Sequence, residues 1–289
     1  MEQTNEINNK GVQYFLNGSF EKAELEYKKA LGINENNATV LNNLGLLYHK
    51  KKAYRKAIEC FQKAIKTIES DTYYLNMANS FTMLKENSRA EFYYIKSLEI
   101  NSENVNTVTS LALFYQACNR IVESSELWKR LLRSNENDNY KIELAKNYMA
   151  LGNYEEALSV FMSIKSEHQS AAIFYYVGVC EFNLKNFGIA EIEFKKSLVI
   201  EPDNYNTRHY LSINYLSKGD YKHAVKEMEL LIKLYPDNQK VKNDLTAVYL
   251  NLGEYKNAEK IVNEILCVDP ENEKANRYRE FLAEKNHQK

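Results

Sequence analysis

Pro202, Pro236 and Pro270 are the only prolines in the chain, and they stand 34 residues apart. Proline cannot continue a helix, so its even spacing marks a structural unit that ends at the same place each time. When residues 38–71 are numbered as places 1 to 34, Leu41, Leu44, Gly45 and Tyr48 take places 4, 7, 8 and 11. Ala57, Phe61 and Ala64 take places 20, 24 and 27. Both sets advance by three or four residues, so each is the apolar stripe of one helix. The small residues mark where the two helices cross, because axes reach about 8–10 Å only where no bulky side chain intervenes. Other breakers obey the same count. All three prolines fall at place 32, just past the second helix, and Gly18, Gly152, Gly219 and Gly253 share place 15, the turn between helices. Gly11, Gly45 and Gly178 share place 8.

The unit recurs along nearly the whole chain, with repeats at 4–37, 38–71, 71–104, 105–138, 138–170, 171–204, 205–238 and 239–272. Place 17 is aromatic in six of them, through Phe20, Tyr54, Tyr154, Phe187, Tyr221 and Tyr255. Asn37, Asn104, Asp138, Asn204 and Asn238 precede first helices as N-caps. Residues 273–289 carry a last stripe of Ala275, Tyr278 and Leu282 among charges, which suits a capping helix over an otherwise exposed apolar face. The fourth repeat is the loosest copy, with Ser124 at place 20, Leu131 at place 27 and no glycine in its turn, and is expected to be the weak joint. Trp128 takes the core aromatic place 24. The stretch 38–71 resembles a tetratricopeptide repeat (TPR), without that family's Trp at place 4 and Pro at place 32. Eight such stretches in near-constant register resemble a TPR array. The resemblance implies an all-α fold, a right-handed α-α superhelix of antiparallel helix pairs whose first helices line a concave groove.

Bulk properties exclude several functions. With 38 Lys and Arg against 39 Asp and Glu, the net charge of −1 leaves no basic footprint for nucleic acid. No run approaches 18 apolar residues, so no membrane insertion is expected. The opening MEQTNEINNK lacks a signal-peptide pattern, which reads as cytoplasmic. Cys60, Cys118, Cys180 and Cys267 are far apart and read as reduced core or near-core thiols. Five scattered histidines give no metal site, and no phosphate loop, nucleophile elbow or dinucleotide glycine pattern occurs. The repeats leave no room for a catalytic domain, so neither enzyme activity nor a cofactor is expected. A basic cluster, His49 to Lys52 with Arg55 and Lys56, reads as a solvated turn.

In the geometry the resemblance implies, places 2, 5, 6, 9, 12 and 13 face the groove. The N-terminal part of this wall is amide-rich. Asn9, Asn43 and Asn76 share place 6, and Asn79 stands at place 9 of the third repeat. Stacked amides can each donate and accept one bond to an extended peptide backbone. The row is similar to the asparagine ladder of TPR superhelices in O-GlcNAc transferases and kinesin light chains; the competing reading is an asparagine-rich composition. A second zone is aromatic and aliphatic: Tyr175, Tyr176, Val179 and Phe182, then His209, Tyr210, Ile213 and Leu216. Tyrosine and histidine bury large bodies at low rotamer cost while keeping a polar tip. Part of this set could instead pack between neighbouring first helices. Between the zones Ser110, Glu143 and Lys146 leave the wall polar and mixed in charge. The carboxylate clamp of TPR co-chaperones would fall on Asn8, Val12, Asn43, Thr72 and Asn76, and only Asn43 matches. The expected function is a non-catalytic scaffold binding a protein or peptide partner. The alternative is a regulatory or targeting subunit of an enzyme, secretion, pilus-assembly or peptide-sensing complex.

Overall fold

The computed structural model describes residues 2–164 and 168–287, all in helices and short connections, with no strand among them. The chain forms two compact units, Met1–Tyr140 and Lys141–Lys289. In the first, helix α1 (Glu2–Leu16) packs on α2 (Phe20–Ile33), α3 (Ala38–Lys50) on α4 (Tyr54–Thr67), α5 (Asp71–Met83) on α6 (Asn87–Ile100), and α7 (Val105–Ala117) on α8 (Ile121–Ser134). The second is built from residues 141–150 of α9 (Asp138–Ala150), then α10 (Tyr154–Met162), α11 (Ala171–Asn183), α12 (Phe187–Ile200), α13 (Tyr205–Ser217), α14 (Tyr221–Leu234), α15 (Gln239–Asn251), α16 (Tyr255–Val268) and α17 (Glu273–His287). Its hairpins repeat the scheme, with α11 on α12, α13 on α14 and α15 on α16.

The interior of each hairpin follows one volume rule. At place 8 of the first helix, a Cβ added to Gly11 would stand 2.6 Å from the Tyr27 ring, and one added to Gly178 would stand 2.6 Å from the Phe194 ring. The place-24 aromatic therefore lies directly on the glycine backbone. The same two places hold Ala78 and Tyr94, Ala112 and Trp128, Ala145 and Phe161, Ser212 and Met228, and Thr246 and Val262, all buried, so place 8 exceeds alanine only where place 24 is not aromatic. Place 20 is an alanine at 0% exposure in seven repeats, and Ser124 fits the eighth copy at 0% as well. Place 27 accepts Ala30, Ser97, Ile164 or Ile265 in buried form, so Leu131 is not an anomaly there.

The turn is one motif used eight times. The place-15 residue is left-handed in every repeat: Gly18, Gly152, Gly219 and Gly253 at φ +72 to +81°, and Lys52, Lys85, Asn119 and Lys185 at φ +59 to +64°. The following N–H then reaches back to the place-11 carbonyl, as from Ser19 to Tyr14, Ala53 to Tyr48 and Arg120 to Tyr115, each at 2.8 Å. This satisfies carbonyls that the helix end leaves open. At the other end, the amide oxygens of Asn37, Asn104, Asn204 and Asn238 accept from the N–H three residues on at 3.0–3.1 Å. Asp138 departs from this set: it is the first residue of α9 itself, not the residue before it.

Two elements break uniformity. Most second helices have 14 residues, but α10 has nine. Helix α17 buries Ala275 and Leu282, the positions equivalent to places 3 and 10, against α15 and α16. At the equivalents of places 7 and 8, where a hairpin would meet its own second helix, it has Arg279 and Glu280, both exposed. It thus covers the hairpin before it, with Phe281 left exposed.

Candidate peptide-binding face

The first helices of each unit are held in register by interhelical latches. Glu24 on α2 accepts a bond from the Tyr48 hydroxyl on α3 at 3.1 Å and from Lys51 at 3.1 Å, with Lys28 at 2.7 Å. Glu91 on α6 accepts from Tyr115 at 2.9 Å and from Arg120 at 2.8 Å. Glu191 on α12 accepts from Tyr215 at 3.2 Å and from Lys218 at 2.5 Å. In all three the acid stands at place 21 and the tyrosine at place 11 of the next repeat. Where place 21 is Ile58, place 11 is Phe81, and both are buried. For the last pair Tyr249 turns instead to Glu229 at 2.6 Å. Lys28, aided by Lys51 and Tyr48 against the effect of burial, holds the Glu24 carboxyl down at about 2. Burial opposes ionisation of Glu191, yet Lys195 and Lys218 hold it down at about 2.

On the amide face of the first unit, consecutive first helices are clasped by asparagine pairs. Asn43 Nδ2 donates to Asn8 Oδ1 at 2.9 Å, and Asn76 Nδ2 donates to Asn42 Oδ1 at 2.8 Å. The rule is the same each time: place 6 reaches back to place 5 of the preceding repeat. Half of each place-6 amide is thereby fixed, while the Oδ1 of Asn43 and of Asn76 accepts no bond from the described residues. Asn9 is exposed and makes no such side-chain bond. Asn79 Oδ1 accepts from the Tyr94 hydroxyl at 2.7 Å, leaving its NH2 group available. His49 meets Ser80 at 2.9 Å through Nδ1 and lies edge-on to Tyr54, and burial lowers its basicity. Over places 2, 5, 6, 9, 12 and 13 of the first four repeats, Lys50 is the only charged residue.

The face of the second unit is a run of rings. Tyr176 stacks on Phe161 at 5.6 Å and touches Tyr175 at 5.3 Å, and Tyr175 meets Tyr210 edge-to-face at 5.7 Å. His209 lies 6.4 Å from Tyr210 and stacks on Tyr205 at 5.7 Å, and Tyr205 meets Tyr235 at 5.3 Å. Tyr175, Tyr176, His209, Tyr210 and Ile213 are all half-buried. Burial, with Tyr210 and Tyr176 beside it, pushes the Tyr175 hydroxyl up to about 12, so it remains a proton donor. The His209 Nε2 is buried without a hydrogen-bond partner among the described residues. Burial and Lys240 lower the basicity of that ring, and Asp244 opposes them.

Three residues placed on this face by register do other work. Val179 is 6% exposed and packs with Phe194, Leu211 and Tyr215, so it supports the rings from beneath. Lys146 is engaged by Glu143 on its own helix at 2.8 Å. Phe182 joins the packing between first helices, 6.2 Å from Tyr210. The periodicity did not reveal Tyr205 and Tyr235 as extensions of the ring run, nor the latches. The latches had a readable signal, namely glutamate at place 21 where the next repeat has tyrosine at place 11, broken at Tyr148, which follows Ser125, and at Tyr249, which follows Val225.

The family described as "Tetratricopeptide repeat" matches residues 38–71 and 215–283, and "TPR repeat" matches residues 11–52. The BBSome complex member BBS4 of Bos taurus is 24% identical over 73% of this chain and 41% of its own length. A TPR repeat-containing protein of Methanocaldococcus jannaschii is 22% identical over 78% of this chain and 42% of its own. The chain thus spans about two-fifths of these relatives. Among solved structures, a tetratricopeptide repeat protein from Parabacteroides merdae superposes with TM-score 0.59 at 18% identity, covering 86% of this chain and 100% of that one. YrrB, described as a TPR protein with an unusual peptide-binding site, gives 0.53 at 21% identity over 64% of this chain and 96% of that one. No helix among the described residues is long and apolar enough to cross a membrane. The chain is a tetratricopeptide repeat protein.

Proposed function

We propose that this chain is a non-catalytic interaction scaffold that holds an extended segment of a partner protein against its first-helix face. The observation that carries this is the asparagine clasp. Pairing through Asn8 and Asn42 fixes the orientation of Asn43 and Asn76, while one oxygen on each stays open for a peptide N–H. Because these amides are already ordered, binding loses little further side-chain entropy. A face with a single charge discriminates little among side chains, so recognition there rests on the peptide backbone. Asn9 and Asn79 extend this row, and Tyr175, Tyr176, His209, Tyr210 and Ile213 form the counterpart in the second unit. Four unpaired cysteines, two of them in the core, suit a cytoplasmic setting.

A second reading follows from the relatives. Several are named as members of multisubunit complexes, the BBSome and the anaphase-promoting complex, and one as a type IV pilus assembly protein. Here the bound segment would belong to a co-subunit of one assembly. Paired affinity capture separates the alternatives. The native chain is compared with Asn9→Ala/Asn43→Ala/Asn76→Ala and with Tyr175→Ala/Tyr176→Ala/Tyr210→Ala, each first shown by circular dichroism to be folded. Loss of the captured protein with either variant supports the first-helix face. Retention by both variants refutes it. One stoichiometric partner would favour the co-subunit reading, and several partners sharing a linear motif would favour the scaffold.

A further inference from the structure

On every first helix, places 6, 9 and 13 are three and then four residues apart, so their side chains form one stripe along the helix. In the first unit each stripe opens on a polar residue at place 6: Asn9, Asn43, Asn76 or Ser110. A large apolar side chain follows at place 9 or 13: Leu16, Leu46, Met83 or Leu113. At 1.5 Å of rise per residue, the second group lies about 5–10 Å farther along each helix than the first. Helices α1, α3, α5 and α7 touch in succession, and Asn43 and Asn76 each reach the helix before. The stripes therefore stand side by side and make two rows, one of amides and one of apolar side chains.

The apolar row is open to water. Leu16, Met83 and Leu113 are 75%, 53% and 46% exposed, and Leu46 is half-buried. Among the described residues of α9, α11, α13 and α15, no large apolar side chain is exposed. Single exposed apolar residues are ordinary on any surface, but these share a row beside amides that are already oriented.

The amides decide what shape of chain fits. A partner helix could cover the apolar row, but its N–H groups are spent on its own i→i−4 bonds. It would take the open oxygens of Asn43 and Asn76 from water without giving them a backbone donor. An extended segment has its N–H groups free, and alternate side chains point to the same side. With its backbone along the amide row, it turns every second side chain onto the apolar row. A charged side chain laid on Met83 or Leu113 would lose hydration unpaired, since Lys50 is the only charge on this face.

We infer that the first-unit face binds an extended partner segment with aliphatic residues at alternate positions. Its backbone meets Asn43 and Asn76, and its aliphatic side chains rest on Leu16, Leu46, Met83 and Leu113. The inference rests on the proposed first-helix face and adds the side chains that its first-unit half selects. The amides alone would take any extended segment.

The test is fluorescence anisotropy with the full chain and four labelled decamers. Three alternate Leu, Gly or Glu with Ser, and the fourth has five Leu and five Ser with the leucines at three- and four-residue helical spacing. Alternating Leu-Ser is expected to bind at least five-fold more tightly than the other three. Leu16→Ser/Met83→Ser/Leu113→Ser should bring it to the Gly-Ser level, whereas Leu25→Ser/Ile192→Ser on second helices should change it less than two-fold. Should the triple variant lose helical structure by circular dichroism, Leu113→Ser alone is expected to weaken Leu-Ser two- to three-fold. Leu-Ser binding no tighter than Gly-Ser or than the helically spaced decamer, or undiminished in the folded row variants, overturns the inference. If all four decamers bind alike and all are lost in Asn43→Ala/Asn76→Ala, the first-helix reading stands and the aliphatic assignment fails. A leucine preference that survives both the row variant and the asparagine variant contradicts both.

Discussion

At the residue scale, this protein shows how much backbone geometry one place can demand. Place 15 is left-handed in every repeat whether or not glycine occupies it. Lysine or asparagine there bears a steric cost of about 1–2 kcal/mol, offset in part by the greater flexibility of glycine in the unfolded chain. Replacing Lys52, Lys85 or Lys185 by Gly should therefore stabilise the protein by about 0.5–1 kcal/mol each, read as a higher midpoint in urea. Place 8 makes the opposite demand, on volume. Gly178→Ala should cost about 1–3 kcal/mol, because the new methyl meets the Phe194 ring. Phe194→Met in the same chain, near the pairing used by Ser212 and Met228, should recover part of that loss in a double-mutant cycle. Strict additivity would show that the two places do not share one space. These positions were legible as a row of glycines and alanines. Their pairing across the hairpin was not, because place 24 gains its meaning only when the ring is seen lying on the backbone.

At the scale of elements, the latches join α2 to α3, α6 to α7 and α12 to α13, each through one carboxylate. Glu24 and Glu191 have their acidity raised by folding, to about 2 from an ordinary 4.5. Each contributes stability that is fully present above about pH 4.5 and is lost as pH falls toward 2. Glu191→Gln should thus be less stable than the native chain at pH 7, with the gap closing below pH 4.5. A gap constant from pH 7 to pH 2 would show that ionisation of Glu191 has no part in the latch. Periodicity also identified the helices well, since stripes at three- and four-residue steps are a property of each helix alone. It pointed to the fourth repeat as the weak joint, yet Ser124 and Leu131 both pack into a closed interior. The element with the fewest turns is α10, nine residues long, and nothing in its apolar stripe announces that it stops early. Hydrogen exchange should find its amides less protected than those of α4 or α12. Equal protection would mean that packing on α9 and α11 compensates for the lost turns.

At the scale of the whole molecule, stability in such an array is a sum of local terms, so each end must be closed by composition. Helix α17 suits that role, with Ala275 and Leu282 buried and Arg279 and Glu280 exposed. Deleting residues 273–289 should bare apolar surface on α15 and α16, lower the melting temperature and produce association in light scattering; an equally stable monomer would contradict that role. The proposed binding faces were only half visible in the sequence. Register put Asn43, Asn76, Tyr175 and Tyr210 on first helices. It could not show that Val179 would sink into the core, that Lys146 would pair with Glu143, or that the asparagines would clasp one another, because each depends on side chains from a neighbouring element. The central claim is that partners are held by the first helices and not by the exposed apolar residues of the second. Site-specific photo-crosslinking tests it most directly, with a benzophenone amino acid placed singly at Leu46 and Ile213 on first helices and at Leu25 and Ile192 on second helices. Partner crosslinks from the first pair alone are the predicted result, and crosslinks from Leu25 or Ile192 with none from Leu46 and Ile213 would contradict it.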